Sequence, residues 1–173
     1  MKRIARFCIL LPVLFGLGCS SMAPLQVVDD VELERFMGDW YVIANIPTFL
    51  EKGAYNAVES YRLNADGTIA TTFTFRDGDF GGPLKQYHPR GFVSKQSNAI
   101  WGMQFVWPVK ADYRIIWLDS DYEVTVIGRN KRDFLWIMAR EPRIEEAEYR
   151  EILAYLESVG YAVSDVQKVP QQW

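Results

Sequence analysis

Cysteine is nearly absent from this chain. It has two, Cys8 and Cys19, and none lies beyond residue 19. The body of the protein therefore holds no disulfide, no thiolate metal site and no cysteine nucleophile, and a packed core must stabilise it. Histidine is scarcer still: the one imidazole, His88, is followed by Pro89 in a turn-like stretch. No Ser-His-Asp set, no cluster of metal ligands and no glycine-rich phosphate loop leading into a helix can be assembled. The run "GDFGG" at 78–82 lies between strands and reads as a loop or lid. These absences argue against an enzyme and imply no metal and no cofactor. An excess of base is missing too: the formal net charge is −3 and no basic stripe is visible, which excludes a nucleic-acid binder. After Cys19 no apolar run is long enough for a membrane-spanning helix.

The start of the chain has what the rest lacks. Lys2, Arg3 and Arg6 precede an apolar run from Phe7 to Leu17, followed by small residues. That is the pattern of a secretory signal. The junction Gly18-Cys19 resembles the lipobox of bacterial lipoproteins, although Gly16 stands where that pattern prefers Leu. The resemblance implies cleavage after Gly18, acylation of Cys19 and, because Ser20 rather than Asp follows, sorting to the outer membrane. Residues 1–18 are thus expected as signal peptide, 19–30 as an acylated tether and 31–173 as one folded domain. Removing 1–18 takes away three bases and no acid, which leaves a body of net charge −6. Several acyl chains on one cysteine hold a protein to a bilayer far better than one.

From Trp40 to Ala139 the chain reads as eight short strands separated by turn signals. They are expected at 40–46, 55–63, 68–75, near 85–94, at 99–107 ending at Pro108, at 112–118, 122–128 and 134–139. The link "NADG" at 64–67 is an Asp-Gly hairpin turn, and short links favour antiparallel neighbours. After Pro142 the period changes. Ile144, Tyr149, Ile152, Leu153, Leu156 and Val159 form a helical stripe, which predicts a helix over 143–159 with Pro142 at its start, Gly160 at its stop and a Glu146–Arg150 pair on its wet face. "SDVQKV" at 164–169 can add an edge strand. One set of alternate strand positions is apolar and aromatic while the other carries Arg, Thr, Gln and Glu. In the first strand Trp40, Val42, Ala44 and Ile46 share a side. The fold class is all-β: an eight-stranded antiparallel up-and-down barrel with the C-terminal helix packed outside. Closure removes exposed edges. A barrel of eight strands is nearly filled by side chains or holds one small ligand.

Three blocks now stand out: "GDWY" at 38–41, "LDSDY" at 118–122 and "LWIMAREP" at 135–142. In order and spacing they resemble the signature blocks of the lipocalins, with Ser120 where many members have Thr. The likeness extends over about residues 30–170. Within the family it is greatest to the lipid-anchored lipocalins of the bacterial outer membrane, although Asn45 stands where those often carry Arg. The resemblance implies that Gly38, Trp40, Asp121, Tyr122 and Arg140 are structural signature residues, with Trp40 closing the barrel floor and Arg140 lying across its face. Alternation combined with the family's geometry places Ala57, Glu59, Tyr61, Thr71, Phe73, Val93, Met103, Phe105, Tyr113, Ile115, Trp117, Val126 and Trp136 around a ligand. Glu59 is the one carboxyl on that face. It either lies near the mouth and meets a polar or cationic head group, or points into water at the rim. By resemblance the protein binds, stores or transports fatty acids or lysophospholipids in its cavity, in membrane maintenance. Its partners are that lipid, the outer membrane reached from the periplasmic face through Cys19, and a second copy of the chain in a homodimer. A pigment or haem-like ligand, with His88 as the only imidazole to offer, and a filled, purely structural barrel remain as alternatives.

Overall fold

The computed structural model describes residues 23–173; Cys19 and the signal segment lie outside the described residues. A one-turn helix α1 (Leu33–Phe36) leads into β1 (Gly38–Ile46), β2 (Ala54–Leu63), β3 (Thr68–Asp77), β4 (Leu84–Tyr87), β5 (Arg90–Val93), β6 (Ile100–Val106), β7 (Val109–Leu118), β8 (Val124–Gly128) and β9 (Leu135–Ala139). Helix α2 (Glu146–Ser158) and the short β10 (Gln167–Lys168) complete the chain. Every pairing is antiparallel, and β9 returns to β1, closing the barrel.

The fourth expected strand is broken in two. Its halves, β4 and β5, flank His88 and Pro89, and both pair with β3. Only β5 continues the sheet to β6. Among the described residues β4 pairs with β3 alone, so the wall between β4 and the upper part of β6 has no ladder. Proline has no N–H to give such a ladder. Helix α2 starts at Glu146, not at residue 143, with Glu145 at its cap position. The Glu146 carboxylate pairs with Lys168 at 3.1 Å, and Arg150 donates instead to the Glu146 carbonyl. The seventh strand begins only at Val124, because Tyr122 adopts a left-handed turn conformation at φ 61°.

Two apolar cores result. One fills the lower barrel around Phe36, Trp40, Ile69, Phe75, Trp101 and Ile115. The other lies between the outer face of β1, β7, β8 and β9 and the helix residues Tyr149, Ile152 and Leu156. Full burial of each such Ile or Leu is worth about 1.5–3 kcal/mol. This second core corrects the facing of several residues. The β1–β9 register shifts between Val42 and Ala44, so Val42 faces the barrel interior while Ala44 and Ile46 face the helix. Asn45 is turned inward instead and is buried. A second shift, between Ile115 and Trp117, turns Trp117 outward.

The expected tether is partly structure. The Leu25 amide donates to Asn130 Oδ1 at 2.8 Å, the Val28 amide to the Ile115 carbonyl at 3.0 Å, and the Val31 amide to Asn98 Oδ1 at 3.1 Å. Leu25 is buried against the second core. The segment therefore climbs the outer wall from the closed end, at α1, to the opposite end, at the β8–β9 turn.

Candidate functional site

The closed end is built from the N-terminal helix turn. Helix α1 ends by leaving carbonyls without helical partners. Arg140, delivered by the end of β9, meets them: Nη2 donates to the carbonyls of Arg35, Phe36 and Met37 at 3.0, 3.1 and 2.9 Å. Its Nη1 donates to the Asp39 carbonyl at 2.8 Å and Nε to the Tyr122 carbonyl at 3.3 Å. The guanidinium carbon lies 3.8 Å from the Trp40 ring centroid. Trp40 is fully buried and its indole donates to the Phe36 carbonyl at 2.9 Å. Gly38 has φ +99°, and a Cβ there would stand 3.3 Å from Arg140 Nη1, so a side chain would both strain the backbone and press on the guanidinium. The β7–β8 turn is held by Asp119, whose Oδ1 accepts from the amides of Glu123 and Val124. Asp121 is exposed. Tyr122 contributes its hydroxyl, which accepts from the Glu32 amide, and a ring under Arg35.

Above this floor, Tyr61 and Tyr113 share a hydroxyl–hydroxyl bond of 2.8 Å, and Tyr113 stacks on Trp101 at 5.0 Å. Higher still the barrel is hollow. A cavity of about 520 Å³ opens at the end away from Trp40, within the range of about 300–1,000 Å³ usual for small-molecule sites. Of the residues expected to line it, Glu59, Tyr61, Phe73, Met103, Phe105, Tyr113 and Trp136 do. The others do not. Ala57, Thr71 and Ile115 are packed into the core beneath and beside the hollow, with Val93 at its edge. Trp117 and Val126 face the helix: Trp117 packs on Tyr155 at 5.2 Å. Both faces of β8 are buried, so apolar character could not tell one from the other.

Glu59 is neither at the mouth nor at a wet rim. It pairs across the sheet with Trp40 on one side and Phe73 on the other, deep in the barrel. Burial pushes its carboxyl well above the usual carboxylate range, and the charge of Glu51 adds to the shift. Its Oε2 is buried without a protein hydrogen-bond partner. Burial likewise raises the hydroxyls of Tyr61 and Tyr113.

The residue that sequence patterns missed is Glu51. It sits in the β1–β2 loop, outside any alternating segment, yet it is buried. Its carboxyl group accepts from the Thr48 amide at 3.1 Å, the Thr48 hydroxyl at 2.7 Å, Asn45 Nδ2 at 3.3 Å and the Trp136 indole at 2.8 Å. This network pins the loop to the barrel wall, and the inward turn of Asn45 supplies one of its donors. Arg129 was missed as well. At the mouth it donates from Nη1 to Asp133 at 3.3 Å, while its Nε is buried and unpartnered. Nearby Asp112 is taken up by Arg114 at 3.0 Å. His88 is exposed and lies at the broken fourth strand, where with Tyr87 and Pro89 it edges the cavity. Among the described residues no group of three or more potential metal ligands is clustered, and no helix is long and apolar enough to cross a membrane.

Comparison with known proteins agrees with this architecture. A family model described as the lipocalin-like domain matches residues 31–171. The chain is 32% identical to the temperature-induced lipocalin-1 of Arabidopsis thaliana over 85% of its own length and 83% of the relative's. It is 29% identical to the outer membrane lipoprotein Blc of Escherichia coli over 85% of each. Among solved structures it superposes on apocrustacyanin C2 with a TM-score of 0.65, at 12% identity, over 82% of this chain and 80% of the other, a likeness of fold alone.

Proposed function

The chain belongs to the lipocalin family, and on that premise we propose that it is a lipid carrier of the bacterial envelope, not an enzyme. It is cut after Gly18, acylated at Cys19 and held on the periplasmic face of the outer membrane; the Escherichia coli relative is named an outer membrane lipoprotein. It binds, and stores or transports, a single-chain amphiphile, a fatty acid or a lysophospholipid, in the service of membrane maintenance.

The observation that carries this reading is the polarity profile of the cavity. Its walls are Phe73, Met103, Phe105, Ile127, Phe134 and Met138. An acyl chain gains by leaving water for such a shaft. At the mouth the buried, unpartnered Nε of Arg129 offers a donor and a charge to a carboxylate or phosphate. In the depth, burial shifts Glu59 toward its neutral form, which lessens the repulsion that an ionised carboxylate would exert on an anionic ligand.

Native mass spectrometry of the mature chain, extracted from the envelope in a mild detergent, tests the reading. A bound mass equal to a fatty acid or lysophospholipid is expected, on a polypeptide whose own mass carries the acyl groups of a lipoprotein. A chain that is empty, and that stays empty with added lysophosphatidylethanolamine, overturns the ligand assignment. A polypeptide mass without acyl groups overturns the anchor.

A further inference from the structure

The open end of the barrel carries a concentration of exposed apolar side chains. Trp107 is 82% exposed, Val106 72%, Val109 67% and Phe105 48%, all at the tip of the β6–β7 hairpin. Across the mouth, Phe49 on the β1–β2 loop is 81% exposed. Contiguous exposed apolar surface of this kind marks a contact surface. It is continuous with the ligand site, because Phe49, Phe105 and Val106 also line the cavity.

The path of the N-terminus says what lies against it. Residues 25–31 climb from the closed end to the β8–β9 turn, and the last fixed point, Leu25, is bonded to Asn130 at the open end. Five residues lie between Cys19 and Leu25, which makes six Cα-to-Cα steps. Fully extended they span about 20 Å at roughly 3.3–3.6 Å per residue. The ten residues of β3 rise about 33 Å, or roughly 25 Å along the axis of a barrel with tilted strands. A lipid on Cys19 therefore reaches a bilayer at the open end with ease and cannot reach one lying beyond the floor. The β8–β9 turn, with Arg129, Lys131 and Arg132 against Asp133, sets net positive charge at that same end of an otherwise acidic body. Cations near an anionic lipid surface are attracted to it, and tryptophan favours the membrane interface.

We propose that the open end of the barrel, led by the hairpin tip around Trp107, seats in the interface of the phospholipid bilayer, so that the cavity opens into lipid and not into water. The tether argument rests on the acyl anchor at Cys19 proposed above; the apolar tip and its continuity with the cavity do not. In this posture an acyl chain passes between membrane and barrel along Phe49, Phe105 and Val106 without crossing water. The opening is thus a membrane port, and the partner is the lipid surface.

The test uses the mature chain reconstituted on vesicles of phosphatidylethanolamine with a minority of phosphatidylglycerol, part of it brominated on the acyl chains. Trp107 is the most exposed of the tryptophans given above, so the fluorescence lost on going from the parent chain to Trp107→Phe is its own. That component is expected to lose at least about half its intensity to bromolipid while being shielded from aqueous iodide. The double variant Trp107→Glu, Val109→Glu changes two side chains that do not line the cavity. Its affinity for lysophosphatidylethanolamine without vesicles is expected to be unchanged, while transfer of that ligand to vesicles slows by about tenfold or more. Free access of iodide to Trp107 on anchored protein overturns the proposal, as does shielding from both quenchers, the result expected if a second copy covered the tip. Transfer at the parent rate from the double variant overturns the port. Bromolipid quenching without ligand binding in solution leaves the docking standing and removes the carrier reading. Quenching on a chain without acyl mass supports the docking and removes the anchor.

Discussion

Arg140 meets five backbone carbonyls and one indole face with a single guanidinium, and no other side chain could replace it. Lysine has three donors and no plane to lay on Trp40. The indole is the more costly of the pair to lose, since it is sealed among Phe36, Tyr61 and Trp101. Trp40→Ala is expected to cost about 3–5 kcal/mol in a denaturant melt. Glu59 behaves in the opposite way. Its folded-state pKa lies above the unfolded value of about 4.3, so between the two the native state binds the extra proton. Stability attributable to this group is therefore greatest at low pH and falls as pH rises through that window. Glu59→Gln removes the penalty and keeps the shape. Urea melts at a series of pH values are expected to show the variant more stable than the parent at neutral pH, with the gap closing toward about pH 4. A gap independent of pH would sink this account. Trp40 and Arg140 stand in motifs and were legible from the sequence, whereas Glu51 was not. A lone acid in the loop "TFLEKG" has no periodicity, and only the closed barrel brings Asn45 and Trp136 to it.

At the scale of elements, strand alternation could be read wherever one face meets water. It set Tyr61, Phe73 and Met103 on the inner face, where they line the cavity, because their neighbours are Arg, Thr and Gln. It failed at Val126 and Trp117 for two physical reasons. Helix α2 makes the outer face of β7, β8 and β9 as apolar as the inner one, and a bulge between Ile115 and Trp117 reverses the count. The bulge has no composition of its own, so nothing in "YRIIWLD" announces it. Gly128, at the end of β8, lies under this second core. A Cβ there would fall 2.6 Å from Tyr161 Oη, 2.9 Å from Ile116 Cδ1 and 3.0 Å from Leu25 Cδ2. Tyr161 is held in place by the Arg129 amide, which donates to its hydroxyl at 2.8 Å, so it cannot simply swing away. Gly128→Ala is expected to cost about 1–3 kcal/mol by overpacking, read as a lower thermal midpoint, and to loosen the N-terminal segment at Leu25.

For the molecule as a whole, the absence of any cross-link beyond residue 19 means that whatever fills the cavity becomes part of the stability. A ligand that binds only the folded barrel adds about 2.7 kcal/mol when its free concentration is a hundred times Kd. Thermal midpoints of delipidated protein are therefore expected to climb with added lysophospholipid without levelling at one equivalent, and a midpoint indifferent to the ligand would contradict the carrier reading. The eight-position closure, the helix outside it and the floor were all legible in the sequence, because each depends on local periodicity or on a short motif. The break at His88-Pro89 was read there only as a turn within one strand, although Pro89 sits at the split.

That break gives the barrel a hinge line. Between β4 and the upper part of β6 no ladder holds the wall. The other place among the described strands where a ladder stops short, above Tyr41 and Val58 between β1 and β2, is bridged by the C-terminal segment, through the Val169 amide to the Ile43 carbonyl and the Asn56 amide to the Pro170 carbonyl. Widening the cylinder there severs no existing bond, so the structure can breathe along one side while the remainder stays rigid. In deuterium exchange the amides of Phe105 and Val106 are expected to label far sooner than those of Trp101 and Met103 on the same strand. Opening and closing along this line would let the cavity adjust its girth to chains of different thickness, which makes the barrel less a cup of fixed bore than a split sleeve.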